Sequence, residues 1–287
     1  MPRVLTEDRT EQPTRTSKAD GMRHGSHGAR DASTHSGTVA AQGLGLAALI
    51  VLAEYLARRF LAPTMPSIGA PPVNSESLPI GAPVVNDMVA TVLIYALLVT
   101  LVAPRPERPM AALGEALRGI AVQATKWLPW IGGVLFLGAV VAVAPLDAQL
   151  WGDVRLPSFT VPPSTTVLFA GAATPLAVVS LLIVNGVVIP LAEERLWRGL
   201  IQPRLRVAWG VIPALLVTAA LFSLKHAIVD ASLGRLLALT AGGLMLGLVA
   251  YRAGGLDGRG SGWKASAVSH MVGNLVATSL ALAAGAL

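Results

Sequence analysis

The chain has 287 residues, of which 53% are hydrophobic and only 13% charged, a balance too apolar for an ordinary soluble domain. Its formal net charge of +6 does not imply nucleic-acid binding, because Lys and Arg gather in the N-terminal tail and in alternate loops. There is no cysteine, so disulfides and thiolate metal sites are excluded.

Residues 1–37 are polar, mixed in charge and without the apolar core of a signal peptide, so a disordered tail is expected there. Its His24, His27 and His35 read as solvated side chains. Domain 38–287 then carries near-charge-free runs at 38–53, 88–104, 127–146, 156–192, 207–224, 236–251 and 265–287. A membrane helix needs about 20 mostly apolar residues, so these predict an all-α, polytopic bundle of about seven transmembrane helices. The first run must extend past Glu54, which can pair with Arg58 one turn on. Proline-rich 62–87 reads as an extended outer connection, 109–126 as an interfacial amphipathic helix, 147–165 as a second outer loop and 252–264 as a flexible inner one.

Lys and Arg are concentrated in the tail and the second, fourth and sixth loops, which places the N-terminus in the cytoplasm. Trp127, Trp130, Trp209 and Trp263 fall at the cytoplasmic starts of spans, where indole rings favour the interface. An integral, multi-pass protein of the cell membrane is expected, with membrane lipid as a partner and no nucleic acid. The glycines of 252–264 lack the Gly-Lys-Ser/Thr ending of a phosphate loop. Ser261-x-x-Lys264 is too short a pattern on too flexible a platform to argue for a serine hydrolase. Gly243 and Gly247 form a small-xxx-small pair suited to close helix approach.

The fourth run leads into Glu193-Glu194-Arg195-Leu196-Trp197-Arg198-Gly199, and ionisable groups at membrane depth are functional candidates by default. Glu194 and Arg198 are four apart, acid first, the favourable order for an ion pair. Glu193 points about 100° away, which leaves it without that partner and free to take up a proton as a general base near neutrality. A helix ending at Pro190 would leave Glu193 at the surface in a juxtamembrane charge cluster. A helix from about 180 to 205 instead puts it about 18 Å from the cytoplasmic end. A fifth span starting near Pro213, a first-turn proline, carries His226 to about 20 Å, and a seventh starting near Gly262 carries His270 to about 12 Å and Asn274 to about 18 Å. These depths converge. His270 and Asn274 share a helix face and can both donate to a developing oxyanion. Taken singly, each admits a plainer reading: interhelical hydrogen bonds for His270 and Asn274, an interfacial histidine for His226.

Glu193-Glu194-x-x-x-Arg198, Phe222-x-x-x-His226 and His270-x-x-x-Asn274 resemble, in order and placement, the three motifs of the CAAX-protease and bacteriocin-processing (CPBP) intramembrane proteases. Pro190 before the acid pair and Gly199 after Arg198 fit as well, and the resemblance covers roughly 166–280. It implies a helical-bundle endopeptidase acting on membrane-associated peptides or lipidated protein tails, which reach the site from the cytosolic side or the membrane. By that resemblance Glu193 activates water, His226 helps to position it, His270 and Asn274 stabilise the oxyanion, and Glu194 and Arg198 hold the architecture. A zinc ion, if the site uses one, would sit on Glu193, His226 and His270; the chain lacks the His-Glu-x-x-His pair that makes a strong zinc case. Arg195 and Lys225 depart from the pattern as deep cations that must snorkel or pair. Two other readings compete: a non-catalytic immunity or accessory factor of the same fold, and a transporter with a midplane proton relay. The internal repeat expected of the latter is not visible.

Overall fold

The computed structural model describes residues 25–61, 82–102, 109–146, 178–179, 181–228, 233–254 and 262–286. Every regular element among them is helical, as the charge-free runs require. The first helix, α1 (Gly25–Leu56), starts well before residue 38 and continues as a π turn, Ala57–Leu61. Then come α2 (Ala82–Val102), α3 (Pro109–Ala124) and α4 (Trp127–Leu146). After residue 180 the chain is helical without a break to α5 (Ile189–Leu196) and α6 (Gln202–Trp209), with π segments Leu181–Val188 and Trp197–Ile201 on either side of α5. It continues as α7 (Val211–Leu224), a 3₁₀ turn Lys225–Ile228, α8 (Leu233–Gly254) and α9 (Trp263–Ala286). The tail up to residue 24, the outer loop 147–165 and most of the loops expected at 62–87 and 252–264 lie outside the described residues.

Among the described residues, Ser36–Leu56, Val211–Ile228 and Leu233–Gly254 are long and apolar enough to cross a membrane. A fourth candidate is the pair Ala111–Ala124 and Trp127–Val143, bent by 81° at its break. That bend separates the amphipathic α3 from the apolar α4. Its cause is local: the Thr125 hydroxyl donates to the Val122 carbonyl at 2.8 Å, and the Trp130 indole N–H closes on the Ala124 carbonyl at 2.8 Å. Pro129 in the first turn of α4 gives up no helical hydrogen bond.

The helix does not stop at Pro190. A proline removes one amide donor and crowds the carbonyl four residues back, and the π segment that ends at Val188 is where the ladder is re-spaced just ahead of it. A second change of spacing follows the acid pair, where the Gln202 N–H reaches the Trp197 carbonyl five residues back. Gly210, at φ 84°, ends α6 in a conformation that favours glycine, and Pro213 lies in the first turn of α7.

Two packing groups enclose the acid pair. On one side Ile50, Tyr95, Leu98, Leu196, Trp197, Ile201 and Phe222 form a buried cluster joining α1 and α2 to α5 and α7. On the other, α4 lies against α8 and α9, with Phe136 wedged between glycines. A β-carbon at Gly242 would come within 2.8 Å of the Phe136 ring, and one at Gly273 would collide with it outright. We therefore expect Gly273→Ala to destabilise the bundle by about 1–3 kcal/mol through overpacking, read as a lower unfolding midpoint in detergent. The Gly243/Gly247 pair does permit close approach, to Ala219 and Leu215 of α7. It also offers its carbonyls to Arg198 Nη2 at 3.0 Å and Gln202 Nε2 at 3.1 Å.

Candidate active site

The 100° step between adjacent helical residues sends the two carboxylates of α5 to opposite sides. Glu194 turns towards α8 and α9. Arg198 Nη1 donates to its Oε1 at 2.9 Å, with both side chains buried, and the Ser266 hydroxyl lies 2.6 Å from Oε2. His270 Nδ1 is 2.9 Å from the same Oε1. A buried carboxylate accepting several charged or polar donors is in the arrangement that burial demands. The Arg198 guanidinium also lies over the Phe222 ring, 4.3 Å from its centroid.

Glu193 turns towards α1, α2 and the end of α7, and here the structure corrects the expectation that it lacks a partner. Lys225 Nζ pairs directly with Glu193 Oε1. The same ammonium lies 3.3 Å from Glu54 Oε2 and 3.0 Å from Tyr95 Oη. Tyr95 Oη in turn is 2.8 Å from Glu54 Oε2 and 3.1 Å from Glu193 Oε1, so its one proton serves one carboxylate at a time. Glu54 thus reaches across to Tyr95 of α2 and to Lys225 on the 3₁₀ turn, while the side chain of Arg58, its expected partner one turn on, lies outside the described residues. Lys225 answers the requirement that a deep cation snorkel or pair: it pairs. Arg195 stacks over Trp263 instead, 5.3 Å from the ring centroid.

His270 stands between the two acids. Its Nδ1 faces Glu194, which as a carboxylate can only accept, so Nδ1 carries a proton, and in the neutral form of the ring Nε2 is then an acceptor. That Nε2 lies 4.0 Å from Glu193 Oε2, too far for a direct hydrogen bond and a span that one water can bridge. Asn274 Nδ2 donates to the Asn185 carbonyl at 2.9 Å, and Asn185 Nδ2 reaches Thr278 Oγ1 at 3.1 Å. The second amide hydrogen of Asn274 is not used by that bond.

His226 sits on the 3₁₀ turn, its Nδ1 donating to the Phe222 carbonyl at 2.9 Å. The Phe222 ring meets His226 edge-on at 5.2 Å between centroids and His270 at 5.9 Å, so it lies beside both imidazoles. Among the described residues no three His, Asp or Glu side chains gather closely enough to hold a metal ion. The three-ligand set Glu193, His226 and His270 therefore does not fit this arrangement: Glu193 Oε1 is held by an ammonium, which would repel a nearby cation.

The sequence reading missed Tyr95 and Ser266. A tyrosine in an apolar helix carries no signal by itself. Ser266 had one, four residues before His270 on the same face. Glu54 and Lys225 were visible as charges out of place, but not as partners.

The class these features define is an apolar helical bundle with adjacent buried carboxylates, one tied to arginine and the other to lysine, and an imidazole between them. Residues 175–276 match the family model described as Type II CAAX prenyl endopeptidase Rce1-like, which supports assignment to the CPBP/CAAX-protease family. The matched segment contains all three motifs, together with Lys225 and Ser266, whereas Glu54 and Tyr95 precede it. Comparison with curated proteins and with solved structures returned no match.

Proposed function

We propose that this protein is a multi-pass intramembrane endopeptidase that hydrolyses peptide bonds of membrane-associated or lipidated proteins. About seven spans cross the cell membrane with the N-terminus cytoplasmic, and substrate enters from the cytosolic side or from the bilayer. The observation that carries the reading is the 4.0 Å gap between Glu193 Oε2 and His270 Nε2. A water seated there donates one hydrogen to each acceptor, which turns a lone pair outward for attack.

In the reaction, the water oxygen bonds to the scissile carbonyl carbon while Glu193 takes its proton. The oxyanion of the tetrahedral intermediate accepts from the unused amide hydrogen of Asn274. Collapse breaks the C–N bond, and the proton held by Glu193 passes to the leaving amine. Glu194, fixed by Arg198 and Ser266, keeps the His270 ring oriented and its proton on Nδ1. This gives His270 the water-holding role that the family resemblance assigns to His226, and leaves Asn274 as the oxyanion donor.

The test is cleavage of membrane-embedded candidate substrates by purified protein in liposomes, comparing wild type with Glu193→Ala and Glu193→Gln. Both substitutions should abolish cleavage. Variants that cleave as well as wild type would remove the protease reading and favour a binding scaffold. A chelator arm reads metal dependence separately.

A further inference from the structure

Lys225 is 2% exposed, and a buried ammonium is costly unless each of its protons is met. Here they are met by Glu54 Oε2, Tyr95 Oη and Glu193 Oε1, with the ammonium 5.7 Å from the Tyr95 ring centroid and 5.4 Å from that of Phe222. The four polar groups come from α1, α2, α5 and the turn after α7, so the cluster fixes Glu193 against three other parts of the chain. The 3₁₀ turn makes this possible. With three residues per turn, neighbouring side chains point about 120° apart, so Lys225 can face Glu193 while His226 faces Phe222.

We propose that Lys225, clamped by Glu54 and Tyr95, is a positioning residue for the base: it holds Oε1 of Glu193 so that Oε2 is the oxygen presented to the water. This rests on the endopeptidase reading above. Oε1 is engaged by Lys225 and Tyr95, whereas Oε2 is the oxygen facing His270 Nε2. A carboxylate not held this way can rotate about its terminal torsion, which is broad and roughly two-fold, and a displacement of about 1 Å in a reacting group costs on the order of 10²-fold in rate.

The experiment uses full-length protein in liposomes and measures kcat, KM and the unfolding midpoint for Lys225→Met, Lys225→Arg, Glu54→Gln and Glu193→Gln. Lys225→Met should lower kcat on the order of 10- to 100-fold with KM within about twofold of wild type, because substrate binding is untouched. Lys225→Arg, which restores a multidentate cation, should recover most of kcat. Glu54→Gln should lower kcat by a smaller factor, and Glu54→Gln with Lys225→Met should be no worse than Lys225→Met alone, since Glu54 acts through the lysine. A Lys225→Met protein that loses thermal stability but keeps wild-type kcat per folded molecule overturns the proposal. If Lys225→Met does not fold, an unchanged kcat in Glu54→Gln overturns it equally. Wild-type cleavage by Glu193→Gln, by contrast, would remove the base itself. A dead Glu193→Gln beside a fully active Lys225→Met would remove only the role assigned to the lysine.

Discussion

Arg198→Ala is expected to destabilise the protein by about 3–5 kcal/mol, the cost of breaking a buried ion pair by removing one partner. Arg198 is 1% exposed and Glu194 not exposed at all, so neither group can be rescued by water after the other is removed. The substitution deletes the Glu194 Oε1 bond, leaves the Gly243 carbonyl without its guanidinium donor and empties the space over the Phe222 ring. Arg198→Lys should not restore wild-type stability, since a single ammonium cannot reproduce the fork that spans Glu194 and Gly243. The double variant Glu194→Gln with Arg198→Met should recover part of the loss, because no lone charge is then buried. Unfolding midpoints in detergent decide the matter: an Arg198→Ala protein within about 1 kcal/mol of wild type would mean that the pair is not holding the bundle.

What sequence patterns reveal here is set by distance along the chain. The helical class followed from charge-free runs, and the Glu194–Arg198 pair from i,i+4 spacing, because both depend on near neighbours. Continuation of the helix through Pro190 is implied by the burial that Glu193 requires; the π segments that accommodate it leave no mark in composition. The Lys225 cluster was illegible for the opposite reason. Its bonds join residues 171 and 130 positions apart, and no spacing rule links α1 and α2 to the end of α7. Each charge is recognisable as misplaced, but a pattern offers only local partners, such as Arg58 for Glu54, and says nothing of Tyr95 or Lys225. His226 shows a related limit. Counting residues sets an expected depth and no direction, and the direction is decided by the 3₁₀ turn. The misfit of a metal ion is equally hidden, since ligand spacing does not show that an ammonium holds Glu193 Oε1.

His270→Ala is expected to reduce cleavage on the order of 10²-fold, the cost of misplacing a reacting group, here the attacking water, by about 1 Å. Two effects combine in this one substitution. In the proposed mechanism the water loses its second acceptor, and Glu194 loses the imidazole N–H at 2.9 Å while keeping Arg198 and Ser266. Those two remaining donors leave the Glu194 charge paired, so the protein should still fold, which separates this variant from Arg198→Ala. Combined with Glu193→Gln, the loss should be far less than the product of the two single effects if both residues act on one water as proposed, since removing either then abandons it. Multiplicative losses would mean that His270 acts independently of Glu193, as an oxyanion donor of the kind the family resemblance implies. The outcome therefore distinguishes two geometries with the same residues: one imidazole sharing a water with the base, or the same imidazole turned towards the carbonyl oxygen. The two differ in the proton at Nε2: with Nδ1–H given to Glu194, a neutral ring accepts at Nε2 and suits the shared water, whereas an oxyanion needs the Nε2–H of an imidazolium.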